Sequence, residues 1–286
     1  MALIDLHTHS TASDGSLTPA AVVRLARERG LAAIALTDHD TIDGLPEAIR
    51  AGVEEGVEVV PGVEISARHP GGSMHILGLL VDYDDGLLDR RLAVLKQARR
   101  DRNPQIVAKL NSLGIPVSLD EVEAVSGGGQ VGRPHIARAL LERGAVRSIQ
   151  EAFDLFLSNR GRAYVGKFRF PPPEAIAMIR ESGGVPVLSH PFTLNVHSVR
   201  ELRTLLVDLK RMGLAGLEVF YPEHGPDLEG LYRELAKELD LLITGGSDFH
   251  GDNKPEVELG RIACQGKITH ELLDALKEWK MRRDPA

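Results

Sequence analysis

Seven short apolar runs punctuate the chain: Leu3–His7, Ala33–Thr37, Val57–Val60, His75–Val81, Val185–Ser189, Gly216–Phe220 and Leu241–Thr244. Their nearly continuous apolar character reads as strands covered on both faces. Amphipathic segments lie between several of them. Thr18-Pro19 supplies a cap and a first-turn proline, and Gly30 ends that helix. Gly44–Glu55, Pro173–Ser182, Ser198–Met212 and Leu228–Leu239 show the same helical period. This alternation predicts an α/β fold with parallel strands inside and helices outside. About seven repeats of the unit point to a closed barrel rather than an open sheet.

One stretch breaks the rhythm. From about Gly86 to Phe170 there is no convincing strand, and helical patterns follow one another: a long one over Leu87–Leu113 with a kink expected at Pro104, then Asp120–Val125, Pro134–Arg143 and Ile149–Ser158. Gly127–Gly129 reads as a flexible turn. Residues 1–98 and 171–286 are therefore expected to form the barrel, and 99–170 a helical insertion domain capping its active site.

Composition narrows the class. Apolar residues make up 43% and charged residues 26%, enough for a sizeable core. The net charge of −7 disfavours a protein that coats nucleic acid. Residues 99–170 carry 12 Lys and Arg against 7 Asp and Glu, so the insertion leans basic while the rest is acidic. A single cysteine, Cys264, excludes a disulfide framework and a thiolate-rich zinc site; it is expected to be buried and unreactive. No apolar run reaches the ~18 residues of a membrane span. Met1–Ser10 lacks the features of a secretion signal, so a cytoplasmic location is expected.

Candidate chemistry gathers where the strands stop. His7 and His9 form an H-x-H pair, and period two puts both imidazoles on one face. Asp14 follows. Thr37-Asp38-His39-Asp40 ends the second run, Pro61-Gly62-Val63-Glu64 follows the third, and His75 opens the fourth. Ser189-His190-Pro191 ends the fifth, and Gly246-Ser247-Asp248-Phe249-His250 ends the seventh. A lone histidine at a strand end is more often a hydrogen-bonded core residue than a ligand. The joint pattern is different, because the strand ends of a parallel barrel share one rim. Burying so many ionisable groups together is costly without ions. A multi-metal site follows. Imidazole and carboxylate without thiolate suit manganese, zinc or iron, and the many carboxylates favour manganese. Several ions on one rim match metal-assisted hydrolysis.

These motifs, with Asp5-Leu6-His7-Thr8-His9-Ser10 at their head, resemble the PHP (polymerase and histidinol phosphatase) family of metal-dependent phosphoesterases over essentially the whole chain. The resemblance implies a distorted (β/α)7 barrel with a trinuclear Mn2+ site, Zn2+ or Fe2+ being the alternatives. Carried over by position, it implies His7, His9, Glu64 and Asp248 around one ion. Asp14, His39 and His250 would surround a second, and Glu64, His75 and His190 a third, with Glu64 as the bridge. His7, His9, Asp14, Glu64, Asp248 and His250 are then the catalytic set, around a metal-bridging hydroxide that attacks phosphorus. Asp38 and Asp40 read as groups orienting His39, or simply as turn caps.

Within the family the insertion looks most like the branch containing the 3′,5′-nucleotide bisphosphate phosphatases, some relatives of which trim short RNA from its 5′ end. Arg99-Arg100-Asp101-Arg102-Asn103-Pro104-Gln105 and Gly132-Arg133-Pro134-His135 carry that likeness. Guanidinium groups and a helix N-terminus bind phosphate. Arg102, Asn103, Pro104, Gln105, Arg133, Pro134, His135 and Asp14 are the expected substrate contacts; a solvated helix face is the bland alternative for the arginines. Arg160, Arg162 and Lys167 are weaker candidates. Trp279 reads as a packing anchor, Tyr221 as lining or packing the rim, and His69, His197, His224 and His270 as non-ligands. The expected reaction removes the 3′-phosphate of a nucleoside 3′,5′-bisphosphate. Short 5′-phosphorylated RNA and histidinol phosphate are rival substrates. A carbon–nitrogen hydrolase and a non-catalytic metal-binding module are rival classes. The expected partner is a nucleotide, with no membrane and no obligate protein partner.

Overall fold

The computed structural model describes residues 2–126, 128–261 and 268–283. Cys264 and Gly127 lie outside them. Seven strands form one curled sheet in chain order: β1 Ile4–Thr8, β2 Ala33–Leu36, β3 Glu58–Ala67, β4 Met74–Leu79, β5 Val185–Leu188, β6 Gly216–Phe220 and β7 Leu242–Gly245. At the seam, Thr8 and Phe249 form a parallel bridge, and the Asp248 and His9 N–H groups bond the carbonyls of His7 and Phe249 at 2.9 Å. Glycine permits this approach, since a Cβ on Gly246 would fall 2.2 Å from the Cβ of His7.

Helices α1 (Pro19–Glu28), α2 (Leu45–Glu55), α7 (Pro172–Glu181), α8 (Val199–Arg211), α9 (Pro226–Glu238) and α10 (His270–Arg283) belong to the barrel portion of the chain. The expected caps operate. Thr18 accepts from the Ala21 N–H and Ser198 from that of Glu201, each at 3.2 Å, while Gly56 closes α2 in the left-handed conformation. The core runs through Leu6, Ile34, Leu36, Val63, Ile65, Leu77, Val187 and Leu217, all within 1% of full burial. Trp279 packs against it half-buried.

The sheet is mostly, not wholly, parallel. β4 runs antiparallel to β3 and β5. Six residues, Arg68–Ser73, join β3 to β4, too few for the crossover that a parallel pair requires. β3 is also longer than its apolar run. Its first half pairs with β2 and its second half with β4, so Glu64 sits inside the strand rather than after it.

Between β4 and α7 come α3 (Leu87–Ser112), α4 (Leu119–Ser126), α5 (Arg133–Glu142) and α6 (Ile149–Ala152), the last continuing as a π-helical turn over Phe153–Leu157. α3 runs through Pro104. Its Leu88, Leu92 and Leu95 join the barrel core, while Ile106, Val107 and Leu110 join a second core with Val122, Ile136, Leu140, Phe156 and Leu157. No helix among the described residues is long and apolar enough to cross a membrane.

Candidate active site

The strand ends converge on Glu64, which is fully buried. Its Oε2 lies 2.8 Å from His39 Nδ1 and 3.4 Å from both His7 Nε2 and His9 Nε2. Its Oε1 lies 2.9 Å from His190 Nε2 and 3.1 Å from His75 Nδ1. Asp248 Oδ1 is 3.1 Å from His9 Nε2 and 3.3 Å from His7 Nε2. Asp14 Oδ1 is 3.3 Å from His250 Nε2, and Asp14 Oδ2 is 3.8 Å from His39 Nε2. Donor atoms within 4.8 Å of one another form three groups: His7, His9, Glu64 and Asp248; His9, Asp14, His39 and His250; His39, Glu64 and His75. The reversal of β4 brings His75 here. On a parallel fourth strand its opening residue would lie at the opposite rim, whereas in the antiparallel register it stands across from Ser66.

This donor set fits divalent metal ions. His7 Nε2, His9 Nε2, His39 Nδ1, His75 Nδ1, Glu64 Oε2 and Asp248 Oδ1 are buried and lack hydrogen-bond partners, yet they face one another. Such orphans are rare in a native interior, and cations shared within the three groups would satisfy them. Burial opposes the charge on Asp14, Glu64 and Asp248, but the surrounding imidazoles overcome it and hold all three well below the usual carboxylate range. Burial also opposes charging His9, and Asp248 and Glu64 overcome it, lifting its pKa to about 10. At His75 burial prevails and the pKa falls to about 4.

A layer of carboxylates fixes these ligand candidates. Glu218, alone in the apolar β6 strand, accepts from His7 Nδ1 at 2.9 Å and from the His190 N–H at 2.7 Å. It thereby turns His7 Nε2 inward. Sequence reasoning missed it; a lone acid in a buried strand was the available signal. Tyr221 donates to Asp248 Oδ2 at 2.7 Å and leaves Oδ1 facing the imidazoles. Asp38 and Asp40 do not touch the His39 ring. Asp38 accepts from Ser10 and Ser13, ordering the loop that carries Asp14. Asp40 accepts from Ser66, Arg99 and Lys167. Asp40, His190 and Asp248 have φ of 56°, 25° and 54°, unfavourable for residues with a side chain. Each N–H is pinned, to Glu64 O, Glu218 Oε2 and His7 O respectively, so the turns are held against their strain.

The inner face of the insertion is cationic. Arg99, Arg102, Arg133, Arg169 and Lys167 repel one another, and Asp40 is the carboxylate that Arg99 and Lys167 touch. Arg102 is 4% exposed, and among the described residues its side-chain hydrogen bonds go to the amide oxygen of Asn103 alone. Burial first, then Arg99, Arg133 and Arg169, push its pKa down to about 9. Burial and Arg99 bring Lys167 to about 7 against the pull of Asp40. His135 Nδ1 accepts the Gly132 N–H at 2.9 Å, so its hydrogen sits on Nε2. Burial keeps that ring below the usual imidazole value, with Asp14, Arg99 and His250 setting its electrostatic surroundings. Arg133 donates to Leu157 O and lies over the Phe153 ring. The insertion also touches the barrel through Gln130, whose side chain donates to His39 O and whose N–H bonds Ala12 O.

Helical period divides the Arg102–Gln105 run. Arg102 and Asn103 are buried, whereas Pro104 and Gln105 are exposed, Gln105 bonding back to Asp101 O. Pro104 lines, with Arg100 and Asn103, a groove of about 790 Å³ beside the strut made by Gln130. Pro134 is half-buried in the first turn of α5, and Arg160 and Arg162 are exposed. Arg169 was not among the expected contacts.

A buried cluster of imidazoles and carboxylates on the rim of a curled α/β sheet, flanked by unpaired guanidinium, defines a metal-dependent hydrolase of phosphate esters. Residues 5–160 match the family model described as PHP domain, and the chain belongs to that family. It is 38% identical over 246 residues to a 5′-3′ exoribonuclease of Haemophilus influenzae, covering 86% of this chain and 89% of that one. It is 32% identical over 261 residues to a 3′,5′-nucleoside bisphosphate phosphatase of Chromobacterium violaceum, covering 91% of each. A crystal structure from Bifidobacterium adolescentis, named as a candidate metal-dependent phosphoesterase, superposes with a TM-score of 0.86 at 31% identity, covering 99% of this chain and 96% of that one. The protein is a PHP metal-dependent phosphoesterase.

Proposed function

We propose that the protein removes the 3′-phosphate of nucleoside 3′,5′-bisphosphates, leaving the 5′-monophosphate. The observation that carries this reading is Arg102: a buried guanidinium, among Arg99, Arg133 and Arg169, with no carboxylate in contact among the described residues. Such a group is built to meet an anion. The reacting phosphate would be met by the ions that the residues around Glu64 would hold, so an anion at Arg102 is a second phosphate on the same molecule. The relative from Chromobacterium violaceum, named for this substrate class, supports the reading. An exonuclease that releases 5′-nucleotides from the 5′ end breaks the same P–O3′ bond, which reconciles it with the relative from Haemophilus influenzae.

In this reading His7, His9, Glu64 and Asp248 would hold one ion, Asp14, His39 and His250 a second, and Glu64, His75 and His190 a third, with manganese the preferred metal. Bound there, the ions supply Lewis acidity toward the phosphoryl oxygens and the attacking water. The chain does the rest. Glu218 and Tyr221 fix the orientation of His7 and Asp248, so those ligands need no rearrangement as charge develops. Arg102 and Arg133 anchor the 5′-phosphate and set the distance to the 3′-phosphate. Neutral His135 offers its Nε2 hydrogen to a substrate oxygen on the Asp14–His250 side.

The test is phosphate release by manganese-loaded protein from adenosine 3′,5′-bisphosphate, 3′-AMP, 5′-AMP and histidinol phosphate. Fast release from the bisphosphate, slow release from 3′-AMP and none from 5′-AMP is expected. Preference for histidinol phosphate overturns the assignment of the arginines.

A further inference from the structure

Phe192 is a half-exposed ring at the metal rim, two residues after His190. It belongs to the 3-10 turn Pro191–Leu194. Thr193 pins that turn, donating to Ser73 O at 2.8 Å and contacting His190 Nδ1 at 3.1 Å. The ring is wedged against Tyr221 and His224, with centroids 5.5 Å away in each case, and stands edge-on to His190 at 6.4 Å. Tyr221 is buried and bonded to Asp248, so the aromatic group is anchored directly to the metal cluster. Phe192 is therefore a fixed ring with solvent-facing surface, unlike an apolar side chain that merely failed to find cover.

Its position gives the surface a use. The cationic insertion reaches the centre from the β1–β3 side, through Gln130 on Ala12 and His39 and through Arg99 and Lys167 on Asp40. Phe192 and Tyr221 follow β5 and β6, across Glu64 from those groups. With the 5′-phosphate at Arg102 and the reacting phosphate at Glu64 and Asp248, a substituent on that phosphate that projects on the Asp248 side would have Phe192 beside it, one ring contact beyond Tyr221.

We infer that Phe192 is a specificity-determining residue of this site: a stacking platform for the base of a second nucleoside joined through O5′ to the reacting phosphate, which selects a diester whose downstream ribose carries a base. The inference rests on the proposed function and extends it. In the diester reaction the water oxygen bonds to phosphorus and the P–O3′ bond breaks. One water proton ends on O3′ and the other leaves to solvent, while the downstream nucleoside keeps its O5′–P bond as a 5′-phosphate. The bond broken is the one broken in the bisphosphate.

The test compares two diesters, the dinucleotide pApA and the same compound with an abasic second ribose, using protein of equal metal content. Wild type is expected to favour pApA in kcat/KM by roughly 5- to 150-fold, the span of one base–aromatic stack. In Phe192→Ala that ratio falls to near one, and in Phe192→Trp it is kept. A merely structural defect lowers both diesters alike and preserves the ratio. A ratio near one in wild type, a ratio unchanged in Phe192→Ala, or no diester cleavage beside active bisphosphate hydrolysis each overturns the inference. Failure to hydrolyse adenosine 3′,5′-bisphosphate overturns instead the reading beneath it.

Discussion

Arg102 gives a prediction in which stability and affinity move in opposite directions. Replacing it with methionine keeps the length of the stem and removes the charge. In the free protein that charge sits 4% exposed beside three other arginines, and burial together with them pushes its pKa down to about 9. Each unit of such a shift is about 1.4 kcal/mol against the charged form. Relaxation reduces the benefit of removing a buried charge to about 1–4 kcal/mol. Arg102→Met is therefore expected to raise the melting temperature of the substrate-free protein. With substrate the sign reverses. A charge-assisted hydrogen bond to phosphate is worth about 1.5–3 kcal/mol, so losing it raises KM for adenosine 3′,5′-bisphosphate about 10- to 150-fold. The substitution leaves the ligands around Glu64 in place, so kcat changes little and the constants for 3′-AMP are nearly preserved. Differential scanning fluorimetry and steady-state phosphate release on both substrates check this. An unchanged KM for the bisphosphate, or an equal loss with 3′-AMP, refutes the assignment of Arg102 to the second phosphate.

Further outcomes follow from the same contacts. Glu64→Gln removes the carboxylate that touches five imidazoles, and is expected to lower metal content by mass spectrometry and activity by at least about 10³-fold in a protein that still folds. Metal uptake should release protons, because His7 lies well above its usual pKa and His9 near 10 in the metal-free protein. His9 is therefore protonated at neutral pH, and lowering the pH favours the metal-free form. Affinity should thus rise about tenfold per pH unit for each proton displaced, read by calorimetry in buffers of different ionisation enthalpy. A buffer-independent heat contradicts this. Asp40→Asn leaves Arg99 and Lys167 without their buried carboxylate and should destabilise the protein by about 3–5 kcal/mol in urea denaturation. Tyr221→Phe removes the shorter of two hydrogen bonds to Asp248 Oδ2, leaving that from Lys254 at 3.3 Å, and should weaken metal binding about 10-fold at nearly unchanged KM.

Much of the molecule was legible in the chain. Strand runs, helix caps and the insertion came from periodicity and turn chemistry, and the residues that meet around Glu64 could be chosen because histidines and carboxylates recur where apolar runs stop. Strand direction was less legible. An apolar run carries no arrow, so β4 read as parallel, although the six residues before it were too few for a crossover. Glu218 was hidden because a single acid inside a strand has no spacing partner in sequence. Asp38 and Asp40 flank His39, but alternation sends their side chains to other loops, and no local pattern reveals Ser10, Ser66 or Lys167 as partners. The facing of Pro104 and Gln105 was within reach, since the buried positions Arg99, Arg102, Asn103 and Ile106 follow the helical period of α3 and leave Pro104 and Gln105 outside it.

The central claim is two-point recognition: one phosphate at the metal cluster and a second among the arginines of the insertion. The most direct measurement is a crystal structure of manganese-loaded protein with 5′-AMP, using anomalous scattering to locate the ions. The account expects ions around Glu64, the 5′-phosphate within hydrogen-bond distance of Arg102 and Arg133, and O3′ directed at the metals. A 5′-phosphate bound on the metals, with no anion at Arg102, would contradict it.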